Sequence, residues 1–352
     1  MKSFILLWSI CLLLAHGLIA QDLVAVQNGG NASFYTELDS AVFYAQAGDT
    51  VYIPGKIFSL SAELSISKQL FLIGVGHNPD SSTAYNSRTK INGDIRFLPN
   101  SSGSEIVGVY TNSISIGDLG QPLSNITIDR CNVEGITVGD PGSISHVIKT
   151  SIIRNSINGG DATELMISNN IIDGSCVKIS DQGIVQNNIF FDSGGGSKFS
   201  NTYRSIIKNN IFIHDGPFAT GTPQIFTENI VRNNLSWTPI SFASNGTGNP
   251  GTHNEIFGNE SISGSGSDFV DSVFLNVNSI FLFSYSKDYR VIHPLAKNAG
   301  TDGTDLGIYG GTFPWKNGSV PFNPHVQQKA IAPVTDSLGR LPIQIKVRAQ
   351  NN

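Results

Sequence analysis

Ile184-Val185-Gln186-Asn187-Asn188-Ile189, Ile206-Ile207-Lys208-Asn209-Asn210-Ile211 and Ile230-Val231-Arg232-Asn233-Asn234-Leu235 are one phrase written three times. Moving outward, Met166-Ile167-Ser168-Asn169-Asn170-Ile171 is a fourth copy, Ser151-Ile152-Ile153-Arg154-Asn155 a looser fifth, and weaker ones flank them at Asn132 and Asn259. Taking the last asparagine of each as the marker, positions 132, 155, 170, 188, 210, 234 and 259 are separated by 23, 15, 18, 22, 24 and 25 residues. A variable period near twenty is the signature of a solenoid, in which each turn buries its apolar face only by stacking on its neighbours. With rungs roughly 4.8 Å apart, equivalent residues form ladders along the axis. Asparagine suits a corner of such a coil, because it tolerates left-handed backbone angles and can bond to the rung beside it. The asparagine column is therefore read as structural.

Composition agrees with turn-rich β structure. Charged residues make up 14% of the 352 residues, against an average of about 25%, and 37 glycines punctuate the chain. A net charge of -5 and a pI near 5.8 exclude the basic signature of a nucleic-acid partner. Residues 1–20 open with Lys2, run apolar from Phe4 to Leu14 and end in small residues, the pattern of a secretory signal peptide. Export to the periplasm, the cell surface or the medium is the expectation, with no membrane span, since no later stretch approaches eighteen apolar residues. Cys131 and Cys176 remain in the mature chain and sit in different columns of the phrase, so two buried thiols are expected rather than a bridge.

Before the repeats, Leu38, Ala41, Val42 and Ala45 share one helical face, with Thr36 placed to cap the start and Gly48 the stop. Such a helix covers the open end of the apolar core. After it come Asp49-Thr50-Val51-Tyr52-Ile53-Pro54-Gly55 and Leu70-Phe71-Leu72-Ile73-Gly74. This order of helix, Ala-Gly-Asp-Thr-Val, strand, Pro-Gly and Leu-Phe-Leu-Ile-Gly resembles the entry of right-handed parallel β-helix proteins of the pectate-lyase-like superfamily. Asp288-Tyr289-Arg290-Val291, Pro294 to Gly300 and Asp305 to Gly310 are similar to their closing rung, so the resemblance covers residues 34–311. It implies an all-β, right-handed parallel β-helix solenoid with an N-terminal capping helix and a short C-terminal extension. The division is 1–20 signal peptide, 21–311 coil and 312–352 extension, the last ending in an alternating strand from Leu341 to Arg348.

The fold hosts lyases, hydrolases, esterases and adhesins, so chemistry must be argued from residues. The position two before the marker holds Arg130, Ile153, Ser168, Gln186, Lys208, Arg232 and Phe257, and reads as outward. Six before it lie Lys149, Glu164, Gln182, Arg204, Glu228 and His253. Arg204, Lys208, Glu228 and Arg232 then cluster on one flank, a groove for an acidic polysaccharide or cell-surface glycan. In β-elimination a Lys or Arg takes the proton beside a uronate carboxylate while a second positive group neutralises that carboxylate. Lys208, Arg232 and Arg204 are the candidate catalytic residues; Glu228 and Trp237, the aromatic expected to face out, are the candidate substrate contacts. The competing reading is a solvated face of weak ion pairs. No spacing among His146, His214 and His253 makes a metal site, and no cofactor is identified; calcium is implied by the resemblance alone. The expectation is a monomeric, exported polysaccharide-binding solenoid, with a uronate lyase and an adhesive surface module as alternatives.

Overall fold

The computed structural model describes residues 23–79, 88–117, 120–179, 181–191, 198–213, 219–221, 226–227, 229–240, 242–244, 255–278, 283–322, 324–332 and 334–350. Residues 1–20, expected to be a signal peptide, and His214, Glu228 and His253 lie outside them.

The chain is an all-β parallel solenoid. Its first sheet stacks ten parallel strands, Thr50–Tyr52, Phe71–Ile73, Glu105–Val107, Thr127–Asp129, Val147–Lys149, Met166–Ser168, Ile184–Gln186, Ile206–Lys208, Ile230–Arg232 and Glu255–Phe257. The central residues Ile128, Ile148, Ile167, Val185, Ile207 and Val231 point inward and are wholly buried. After a sharp corner each rung enters a second parallel run, in which Lys90, Tyr110, Asn132, Ile152, Ile171, Ile189, Ile211, Leu235 and Glu260 stand in register. A third run stacks Ile157, Cys176, Phe199 and Ala219. One continuous apolar core fills the coil.

The corner explains the doubled asparagine. Gly108, Arg130, Thr150, Asn169, Asn187, Asn209, Asn233 and Gly258 occupy equivalent places, all with φ between 46° and 68°. Asparagine and glycine enter this left-handed region more easily than other residues, so the first asparagine makes the bend. The second builds a ladder. Asn188 Oδ1 accepts from Asn170 N–H (2.8 Å) and Nδ2 (3.1 Å), and Asn210, Asn234 and Asn259 repeat this for the rung before each. Each Nδ2 also donates to a carbonyl of an earlier rung, as Asn188 does to Ile167 O at 3.0 Å. The amide is thus satisfied without water, as a buried polar group must be.

The register corrects two of the markers. Ser151, not Asn155, precedes Asn170 in the ladder, with its N–H donating to Asn170 Oδ1 at 2.9 Å. Cys131, not Asn132, precedes Ser151, bonding Ser151 Oγ at 3.0 Å through its N–H. Arg130 is consequently a corner residue, Ile153 faces the core, and Asp129 and Lys149 join the outward column of Lys208. Cys131 and Cys176 are free, buried thiols.

At the N-terminal end, Val24–Asn28 pairs antiparallel with both Asn31–Tyr35 and Thr50–Tyr52, ending the first sheet. Helix α1, Leu38–Tyr44, buries Leu38, Ala41 and Val42 against it. Its N-cap is Glu37, without the side-chain bond expected of Thr36. The C-terminal part does not close the coil as a last rung. Helix α2, Gly266–Val273, starts at a Ser265/Asp268 capping box, and the chain then runs back along the outside. Phe269, Val270, Val273, Phe274, Tyr289, Val291, Ala296, Leu306 and Ile308 form a second apolar core against the outward faces of Ile152, Ile171, Ile189, Ile211 and Leu235. The corner asparagines clasp this return segment: Asn233 donates to Ala299 O (3.4 Å), Asn209 to Thr301 Oγ1 (3.2 Å), and Asn169 to Ile308 O and Gly310 O (2.9 and 2.7 Å). Beyond it, Ile343–Arg348 pairs antiparallel with His325–Ile331.

Candidate functional site

Strand alternation sends the residues on either side of the buried central column outward. On the first sheet this makes two parallel rows. Val147, Met166, Ile184, Ile206 and Ile230 form a half-buried aliphatic row. Beside it runs a polar row of Asp129, Lys149, Ser168, Gln186, Lys208 and Arg232, ending at Phe257. The return segment lies along the adjoining corner and forms a wall, with Asp302 within the field of Lys208.

Lys208 and Arg232 are therefore direct neighbours on adjacent rungs. No acidic partner lies within salt-bridge distance of either among the described residues, and the buried Nε of Arg232 has no hydrogen-bond partner there. The Arg232 guanidinium lies 5.8 Å from the ring centre of Phe257. Arg204 is not brought to them. It sits at the corner that precedes the strand, with φ of 41°, and binds Asp181 through Nε and Nη2, both at 2.5 Å. Trp237 lies on the other flank, half-buried against the second core, its indole N–H donating to Gly264 O at 2.9 Å. Glu228 is outside the described residues.

At the N-terminal end of the polar row the wall encloses a pocket of about 250 Å³ between Asp129, Arg130, Lys149, Thr150, Phe313 and Lys316. Asp129 is 3% exposed and accepts from the Thr150 hydroxyl, with Lys149 Nζ 3.5 Å away. Lys149 also lies 4.8 Å from the Phe313 ring centre. Arg130 Nη1 donates to Val320 O at 2.8 Å, fixing the far end of the wall. Burial, aided by Asp129 and opposed by Lys149, holds the neighbouring Glu105 carboxyl above its ordinary value.

A second polar cluster, on the other face, escaped the sequence reading. Arg88, Arg154 and Lys90 place their cationic groups 4.0, 4.4 and 5.6 Å from the ring centre of Tyr110. Below it, the Tyr285 hydroxyl joins Asn132 Nδ2 and His77 Nδ1, each at 2.8 Å. Burial pushes the His77 imidazole down to about 3, with Arg88 adding to the effect, and lifts the Tyr285 hydroxyl to about 12. The signal was present in the outward column, which turns from isoleucine to Asn132, Tyr110 and Lys90; counting Asn132 as a ladder residue concealed it.

Calcium needs several converging oxygen ligands. Among the described residues no group of three or more His, Cys, Asp or Glu side chains is placed to hold a metal ion, and no helix is long and apolar enough to cross a membrane. The chain matches no protein-family profile, no curated protein and no solved structure. The first-sheet groove offers charge-assisted donors on regularly spaced rungs, a strip of aliphatic surface and one enclosed mixed-charge end, which together suit retention of an extended anionic chain.

Proposed function

We propose that this chain is an exported β-helix protein, akin to the pectate-lyase-like superfamily, that binds an acidic polysaccharide lengthwise along the first-sheet groove. The observation that supports this best is the in-register pair Lys208 and Arg232, with no salt-bridge partner among the described residues and flanked by an aliphatic row. A rung spacing of roughly 4.8 Å is comparable to the advance of one pyranose ring, so successive uronates meet successive rungs. Carboxylates take the cations, and the apolar faces of the rings lie on Ile206 and Ile230. Arg204, bound to Asp181 at the preceding corner, does not join this pair.

Isothermal titration with oligogalacturonate and oligomannuronate tests this. Binding is expected to weaken with added salt, to fall about tenfold or more in the Lys208→Ala/Arg232→Ala double variant (about 1.4 kcal/mol per decade), and to be absent for a neutral glucan. Equal affinity of the double variant and the parent refutes the groove. Absorbance of an unsaturated uronate product in the same mixtures moves the reading to a lyase.

A further inference from the structure

The cluster around Tyr110 differs from the ion-paired cations among the described residues. Arg96 pairs with Glu63, Lys149 with Asp129, Arg204 with Asp181, Arg290 with Asp288 and Lys297 with Asp305. Arg88, Lys90 and Arg154 have no such partner among the described residues, although all three surround one ring. Gathering three unpaired positive charges is unfavourable unless something negative joins them.

Buried polar atoms give a second, independent sign. In this one region His77 Nε2, Asn132 Oδ1 and Arg154 Nε are buried without a hydrogen-bond partner among the described residues. His77 is fully buried and Asn132 is 3% exposed. Closed cores satisfy nearly all such atoms, so several orphans side by side mark a place where water or a ligand completes the network. The site is also open to solvent on one side: Arg88, Lys90, Tyr110, Arg154 and Tyr285 are each half-buried. Two acids lie at neighbouring positions of the coil: Glu134 is exposed, and Asp173, beside Arg154, has its carboxyl raised by burial to about 7, so it carries only part of a charge at neutrality.

We infer that the Tyr110 face is a second anion site, separate from the groove, that takes the ester oxyanion of a sulfated or phosphorylated sugar. Two guanidinium groups and an ammonium surround one ring, at 4.0, 4.4 and 5.6 Å from its centre, so three charged donors stand close together. A tetrahedral ester presents three terminal oxygens to three donors, where a carboxylate presents two. The orphaned Asn132 and His77 lie beneath, placed for hydroxyls or water on the same sugar.

The test uses the full chain with three probes: a dextran sulfate oligosaccharide, glucose 6-phosphate and oligogalacturonate. An Arg88→Gln/Lys90→Gln double variant removes two charges and leaves Arg154, which anchors on Thr111 O at 2.5 Å. One or both esters are expected to bind the parent, and the double variant to lose at least tenfold, while its oligogalacturonate affinity stays within twofold. The Lys208→Ala/Arg232→Ala variant should keep ester affinity, so failure of the groove and failure of this site are read separately. The sulfate and phosphate arms identify the ester. Thermal unfolding checks the fold of the double variant; if it is lost, the single Lys90→Gln variant is expected to weaken ester binding at least threefold. The inference is overturned if neither ester binds, or if a folded charge-removal variant binds both as the parent does.

Discussion

One outward column of the second run contains two different surfaces. From Ile152 to Leu235 it is five aliphatic residues, all buried beneath the return segment. From Lys90 to Asn132 the same column, with the same backbone register, carries a lysine, a tyrosine and an asparagine, and the return segment reaches it with Tyr285. The backbone cannot account for the difference, since a stacked strand offers the same geometry at every rung. Side chains decide it. Burying each isoleucine contributes about 1.5–3 kcal/mol, enough over five rungs to hold a folded-back segment. Burying Lys90 and Tyr110 under the same cover would strand polar groups at comparable cost. The cover ends where its apolar support ends, and the polar half stays available to a ligand.

The most severe way to break this contrast is to make the covered half resemble the open one. Ile211→Asp leaves a carboxylate beneath the return segment. Loss of the aliphatic contact costs about 2–5 kcal/mol, and the unpaired buried charge adds to it. Denaturant unfolding should show a loss of about 5 kcal/mol or more, with new protease cleavage between residues 262 and 309. Tyr110→Ala, on the half-exposed side, should cost less than about 2 kcal/mol. Equal losses at the two positions would mean that the column is not divided as described.

A smaller effect probes the boundary. Asp173 is 4% exposed and stands between Arg154 on the open half and Phe191 on the covered one, with Lys198 and Tyr289 close by. Burial raises its carboxyl from 3.8 to about 7, against a backbone bond from Phe283 and the charges of Lys198 and Arg154. The native state therefore holds a proton that the unfolded chain releases first. This contribution is fully present below about pH 4 and is lost as pH rises to 7, by up to about 4 kcal/mol. Asp173→Asn, of the same shape without the charge, should gain stability over the parent steadily across that window. Thermal unfolding at pH 4.5 and 7.5 measures it; a constant difference would place the carboxyl in solvent.

The repeat phrase made the coil legible, because aliphatic pairs at a period near twenty have few other uses. The left-handed corner and the asparagine ladder followed from the doubled asparagine itself. What stayed hidden was register wherever the phrase faded. Asn132 and Asn155 look like ladder members, yet Cys131 and Ser151, one and four residues earlier, hold those places. The shift of one turns a strand over and kept Asp129 out of the outward row and the Tyr110 face out of view; the shift of four kept Lys149 out of that row. The return segment was illegible for another reason. Residues 288–310 carry an aliphatic pattern that fits a closing rung as well as an external cover, and only the apolar outer faces of Ile152 to Leu235 select the cover.

The least costly change separates the two halves of that cover. Tyr285→Phe keeps the ring packed 4.9 Å from Phe283 but removes the hydroxyl that joins Asn132 and His77 on the open half. Leaving these groups short of a partner should cost about 1–3 kcal/mol, and hydrogen exchange should speed up around residues 283–291. Helix α2 is held instead within the apolar cluster that contains Ile189, Ile211 and Leu235, so its exchange should not change. Ile211→Asp, by contrast, should release both. If Tyr285→Phe loosens α2 as much as 283–291, the cover moves as one body and its attachment is set by the polar contact. If 283–291 alone responds, the aliphatic column holds the cover and Tyr285 only fixes where it stops.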